Sequence, residues 1–406
     1  MNTVCNMQEC TMCGACQNIC PENCLSPRYD GNCWYMVRDE QQCSQCGLCR
    51  RVCPNHNMVL QQKPRHAYAA WNMDPVMRKQ SASGGIGAAL YEYAKKKDMY
   101  FAGVLLNENF EAHYVLTDDL SYRKEFQNSK YTFSYVDGLY REIREKLREG
   151  KGVLFIGLPC QAAALKSYLT ATKTDTDHLI LVDLICHGTP HPSFLKDHIA
   201  AIREKTKIPY HKCYFRDPRF HTGNFVFTLY DNRSQEPVYK KIVQSNDLFQ
   251  IGYHKAWIYR QCCYQCHYAR SERTGDLTIG DYHGLGKMAD YTGEYENVSV
   301  ILADTESGQK ILEELVSEKF IMLHERPIEE PIAYEPQLNH PSIGGEIQKR
   351  FVREYEKTQD FERAAGSAFG NERIKNQLKL LSKKVLPEFM ITYIKNKRSK
   401  MRRSEG

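Results

Sequence analysis

Three things are missing from this sequence, and each absence excludes a class of function. No run supplies the roughly 18 consecutive apolar residues that a membrane-spanning helix needs, so no transmembrane segment is expected. The start, MNTVCNMQEC, has no basic patch followed by an apolar core, so export is not expected and a reducing, cytoplasmic setting is. The body is not basic either. Residues 371–406 hold 11 Lys+Arg against 3 Asp+Glu, which leaves 44 against 46 for the rest of a chain whose formal net charge is +6. A nucleic-acid enzyme with a basic groove is thereby disfavoured, and no nucleic-acid partner is expected.

What is present is an ordinary globular composition with one excess. The 406 residues are 42% hydrophobic and 26% charged, enough for two or three domains with real cores. Cysteine is the exception: 11 of the 17 fall within residues 1–53. So uneven a count predicts one cysteine-dense module on a conventional body. We divide the chain into that module at 1–62, a body at 63–345 with parts at about 65–147 and 150–325, and a helical basic extension at 346–406. Gln61, Gln62, Lys63 and Pro64 read as a linker.

In the body, SGGIGAALYEYAKKK reads as a glycine-rich loop entering a helix near Ile86. GVLFIG at 152–157, the helical QAAALKSYL, and LILVDLIC at 179–186 form a strand–helix–strand crossover of a mixed or parallel sheet. The fold class expected is α+β.

The strongest motif is doubled. Cys10, Cys13, Cys16 and Cys20 before Pro21 fit C-x2-C-x2-C-x3-C-P, and Cys43, Cys46, Cys49 and Cys53 before Pro54 fit it again. Three thiolates on one tight loop wrap a four-iron cube, and the fourth is aimed at the other cube. That logic pairs Cys10, Cys13 and Cys16 with Cys53, and Cys43, Cys46 and Cys49 with Cys20, as two 4Fe-4S clusters. Structural zinc is the alternative, disfavoured by the third cysteine and the trailing proline. Cys5, Cys24 and Cys33 fit no motif and read as packing residues. The module resembles a bacterial-type ferredoxin domain, which implies electron transfer.

A second set lies downstream: Cys160 in GLPCQ, Cys186 in DLICHGTP, and Cys263 and Cys266 in CYQC before DLTIGD. Strand-end loops of an alternating sheet converge on one crevice, so these thiols either meet there to hold a third cluster or are packing residues beside a lone C-x2-C pair. Cys262 reads as a packing neighbour.

Ser83-Gly84-Gly85, Ser129-Lys130-Tyr131, GLPCQ, DLICHGTP and the C-x2-C pair before TIGD together resemble the coenzyme F-420 hydrogenase/dehydrogenase beta-subunit family, in its branch with a fused ferredoxin domain, from about residue 5 to about residue 325. The resemblance implies FAD on the body and clusters exchanging electrons with it. It also implies a ferredoxin or another redox protein as partner, and an organic substrate such as the deazaflavin coenzyme or a polysaccharide-pathway intermediate. Ser83, Gly84 and Gly85 would offer backbone amides to the flavin diphosphate at a helix start. Ser129, Lys130 and Tyr131 would add a hydroxyl, a cation and a ring edge.

His187, Asp183 and Asp281 are the candidate proton-handling residues. Where the family usually has an aromatic residue, tryptophan and glycine after TIGD, this chain has Tyr282, His283 and Gly284, a titratable ring for a flat one. The main alternative to a self-sufficient enzyme is an electron-relay subunit of a larger complex with no substrate of its own. In the tail, Ile374, Leu378 and Leu381 share one helical face opposite lysines, so the helix either touches an anionic membrane surface or is simply solvated.

Overall fold

The computed structural model describes residues 2–30, 32–242 and 246–385. The basic stretch beyond residue 385 and the side chain of Leu381 lie outside them.

The sequence repeat of the cysteine module reappears as a structural repeat. Short helices Ala15–Ile19 and Leu48–Arg51 each start after a glycine in the left-handed region, Gly14 with φ 84° and Gly47 with φ 74°. Residues with a Cβ enter that region only at a cost, so the glycines let each loop turn tightly between its second and third cysteine. Between the helices lies the antiparallel hairpin of β1 (Leu25–Asp30) and β2 (Cys33–Arg38).

The body contributes β3 (His66–Asn72), β4 (Tyr100–Leu106), β5 (Ala112–Thr117), β6 (Ser134–Tyr135), β7 (Val153–Gly157) and β8 (Leu179–Leu184). A separate antiparallel sheet is made by β9 (Tyr210–Tyr214), β10 (Phe227–Asp231) and β11 (Tyr239–Lys241). After it come β12 (Leu277–Asp281), β13 (Ser299–Ala303) and β14 (Ile321–Arg326). The main sheet has nine strands in the order β14-β3-β13-β12-β8-β7-β4-β5-β6. Its centre, β12-β8-β7-β4, is parallel, and antiparallel strands extend it on both sides. Because β3 pairs with β13 and β14, strands from the beginning and the end of the body share one sheet.

Burial on both faces explains the continuous apolar run of β7, all five of whose residues are buried. Val153 and Phe155 face the helix Pro159–Ala171, through Leu165 and Tyr168, and the cysteine module beyond it. Leu154 and Ile156 face the helices Ile86–Lys96 and Glu306–Ser317, through Ile86, Leu90, Leu312 and Leu315. The crossover expected from the sequence is thus present, with β7 and β8 parallel neighbours joined by the helix Pro159–Ala171.

Polar bonds fasten the module to the sheet. Arg141 donates to the carbonyls of Gln17, Asn18 and Cys20 at the end of the first short helix, where an unsatisfied carbonyl favours a cation. Tyr140 donates to the Cys13 carbonyl at 2.8 Å, and Ser167 to that of Val52 at 2.8 Å. The expected linker is pinned rather than free, since Gln62 and Arg273 exchange both main-chain bonds at 2.7 Å.

The helices Gly345–Thr358 and Phe361–Val385 begin as core elements despite their charged composition. Phe351, Tyr355, Phe361 and Phe369 pack against Phe194 and Phe249. Further along, Ile374 and Leu378 are exposed. Among the described residues no helix is long and apolar enough to cross a membrane.

Candidate functional site

The doubled motif brings its thiols together in two groups. Cys20, Cys43, Cys46 and Cys49 line one small cavity, and Cys24, read from the sequence as packing, lines it too, with its Sγ 3.5 Å from that of Cys20. Cys10, Cys13, Cys16 and Cys53 are electrostatic neighbours in the other group. Cys5 stands between Cys10 and Cys53, and its hydrogen bond holds the Cys10 thiol down to about 7. Burial pushes the Cys13 thiol up to about 12. The grouping follows the expected exchange of the fourth cysteine between the two halves of the repeat.

The second set also converges. Cys160 lies at the start of the helix Pro159–Ala171, Cys186 just past β8, and Cys263 and Cys266 around a short 3-10 turn, and all four line one cavity with Cys262. Burial pushes Cys186 up to about 12 and Cys266 up to about 11. The Thr189 amide donates to the Cys263 Sγ at 3.5 Å. Among the described residues, no three metal-ligating side chains close on a single point as one bound ion requires. A four-iron cube needs thiolates around its corners instead, so cavities ringed by thiols fit a cluster better than a lone zinc.

Leu158 separates this cavity from a second one at the carboxyl ends of β7, β8 and β12. That is where open α/β sheets bind ligands. The cavity, about 240 Å³, has an apolar floor including Tyr114, Phe126 and Ile156, and a polar wall including Ser83, Ser129, Lys130 and Asp281. Asp281 pairs with Arg216 at 2.7 Å.

The helix Ile86–Lys96 opens onto this cavity, and Gly85, Ile86, Gly87 and Ala88 line it. First-turn amides have no partner within their own helix, which suits a phosphate. Gly84 does something else. Its N–H donates to Ser299 Oγ at 2.9 Å, and a Cβ there would collide with the Ala70 carbonyl oxygen and stand 2.8 Å from the Ser299 nitrogen. The Gly84 amide is therefore committed to the sheet, and the phosphate-facing amides start one residue later than the sequence predicted.

Two other expectations are corrected. Tyr131 does not reach the cavity: it is buried and stacks on Tyr253 at 4.2 Å, while its neighbours Lys130 and Thr132 form the wall. Asp183 is fully buried and saturated, accepting from Arg273 at 2.6 Å, from Thr278 at 2.8 Å and from the Thr274 and Gly275 amides, so it joins strands and moves no proton. Lys130 is where it was expected. Its ammonium donates to the Glu125 and Gln127 carbonyls, and burial presses its pKa down to about 7.

His187 lines the thiol cavity, and with His283 it flanks the buried Glu335 carboxylate at 3.9 and 3.5 Å. The sequence reading did not weigh Glu335 or Arg216, because their partners come from distant segments.

Thiols gathered beside a crevice at parallel strand ends define an electron-transferring protein of the oxidoreductase class. More particularly, residues 150–329 match the family model for the C terminus of the coenzyme F420 hydrogenase/dehydrogenase beta subunit, and through that segment the chain belongs to the family. The segment includes Cys160, Cys186, Cys263 and Cys266, whereas the eight motif cysteines precede it. Among solved structures, the chain is similar to one in the xenon-derivatised F420-reducing [NiFe] hydrogenase complex from Methanosarcina barkeri, with 16% identity over 81% of this chain and 95% of that one and a TM-score of 0.44. No curated protein matches.

Proposed function

We propose that the chain is an iron–sulfur flavoprotein oxidoreductase. In this reading the eight motif cysteines hold two 4Fe-4S clusters, Cys160, Cys186, Cys263 and Cys266 hold a third, and FAD occupies the cavity beside Leu158. Electrons pass between a ferredoxin-type partner and an organic substrate. A bound flavin supplies the junction between one-electron and two-electron chemistry.

The observation that carries the reading is continuity. Cys16 is within electrostatic reach of Cys49, Cys160 is within reach of Cys13, and the cavity ringed by Cys160 shares the Leu158 wall with the crevice. The chain's own residues have separable tasks. Gly85 to Ala88 present amides to a diphosphate, Lys130 adds a cation, and the apolar floor excludes water from a planar ring. Asp281, held by Arg216, is the carboxylate facing that ring and accepts a hydrogen bond or proton there. Cys46 is the exposed thiol of the motif set, which puts the second cluster loop where a redox partner can approach.

The test is anaerobic purification with iron counting and identification of released flavin. About twelve irons per chain are expected with FAD, falling to about eight in Cys263→Ala. Stoichiometric zinc, or a flavin-free chain, overturns the reading.

A further inference from the structure

Arg260 has no task in the proposed function, yet it stands between the thiols of the N-terminal module and those of the body. It is 2% exposed. Its guanidinium donates to the Thr11 carbonyl at 2.9 Å, in the loop between Cys10 and Cys13. On the other side it donates to Thr189 Oγ1 at 2.9 and 3.1 Å, and one nitrogen lies 4.0 Å from Cys263 Sγ. The rings of Phe133, at 4.2 Å, and Trp34, at 5.8 Å, cover its face.

Among the described residues no carboxylate pairs with it. A buried arginine cannot shed its proton, and an uncompensated charge in the interior is expensive. Every partner named above is neutral except the thiols. The negative charge around it therefore comes from cysteine sulfur, Cys10 on one side and Cys160 and Cys263 on the other.

We propose that Arg260 is the fixed counter-charge shared by the first N-terminal cluster and the body cluster, and that it raises the reduction potential of both. A four-iron cube on four thiolates is anionic when oxidised and gains one further negative charge when reduced. Each reduction takes one electron from the donor, with no proton taken up and no bond broken. A cation already in place favours the reduced form, and because it touches both loops it favours it on both sides of the gap. Arg260 acts on the charge of its neighbours and touches no substrate.

This inference rests on the proposed body cluster, so the test first counts iron in the wild-type chain. Full-length wild type, Arg260→Lys and Arg260→Gln are then poised anaerobically with dithionite and redox mediators, and the reduced fraction of each cluster is followed by EPR. At the potential that half-reduces wild type, Arg260→Gln should show a reduced-to-oxidised ratio about tenfold lower, equivalent to about 59 mV for a one-electron couple. Arg260→Lys, which keeps the charge, should recover most of the difference. Loss of four irons in Arg260→Gln with retention in Arg260→Lys supports the same conclusion, because the charge is then needed to assemble the thiolates. Unchanged ratios with full iron in both variants refute it, as does equal iron loss in both with an intact far-UV spectrum. Eight irons in the wild type overturn the body cluster itself, and the inference with it.

Discussion

Replacing His198 should remove a pH-dependent clamp that ties the C-terminal helices to the body. The imidazole is 4% exposed and lies between two carboxylates, 2.9 Å from Asp247 at one nitrogen and bonded to Glu362 at the other. Two acceptors on two ring nitrogens require both to carry protons. Burial presses the pKa down, but Asp247 and Glu362 more than offset it and carry it up to about 10. The remaining neighbours are the rings of Phe227, Phe249 and Phe361, which screen nothing. The ordinary value is near 6.5, so at about 1.4 kcal/mol per pH unit the clamp is worth at most roughly 5 kcal/mol, and buried pairs of this kind cost about 3–5 kcal/mol when broken. A raised folded-state pKa stabilises fully below the unfolded value and less as pH climbs to the folded one. The contribution should therefore be complete below about pH 6.5 and gone near pH 10. Urea unfolding of wild type and His198→Gln at pH 6, 8 and 10 measures it: the gap should be about 3–5 kcal/mol at pH 6 and shrink steadily. A gap that is constant across that range, or absent at pH 6, would refute the imidazolium assignment.

How much of this was legible in the sequence depends on how far apart the interacting residues lie. The strand GVLFIG, the helix after it and the entry at Ile86 are written in local periodicity, and the doubled cysteine motif fixes its own repeat of loop and helix. Gly84 looked like a phosphate loop because its constraint comes from Ser299, 215 residues away. Asp183 had the position of a catalytic strand-end acid, and what neutralises it is Arg273, 90 residues away. Arg260 precedes a cysteine run in a way that local sequence does not distinguish from any surface arginine. The C-terminal helices are a different case. Phe351 and Tyr355, four apart, are an amphipathic stripe that composition alone obscured, since the surrounding charges dominate the count.

Three further predictions separate structural from functional roles. Asp183→Asn should cost about 3–5 kcal/mol in unfolding free energy by leaving the buried Arg273 without its counter-ion, while the folded fraction keeps its flavin content; lost activity at unchanged stability would mean that Asp183 is catalytic after all. Lys130→Met should weaken flavin retention about tenfold on dilution without lowering the urea midpoint, because the cation has only carbonyl partners when the cavity is empty; equal retention would remove Lys130 from the phosphate site. The third compares two glycines three residues apart. At Gly84 an added methyl meets the backbone of Ala70 and Ser299, which are cross-strand partners in β3 and β13, so neither can yield without opening that pairing. Overpacking of this kind costs about 1–3 kcal/mol. At Gly87 the same methyl meets only Ile156 Cδ1 at 4.0 Å, an ordinary contact, and a helical alanine gains up to about 1 kcal/mol over glycine. Gly84→Ala should therefore unfold at lower urea with normal flavin per folded chain. Gly87→Ala should be at least as stable as wild type but hold flavin less tightly, because its methyl stands on the cavity wall. If Gly84→Ala instead kept full stability and lost the flavin, the amide bonded to Ser299 would have to be a phosphate donor, and the register assigned to this loop would be wrong by one residue.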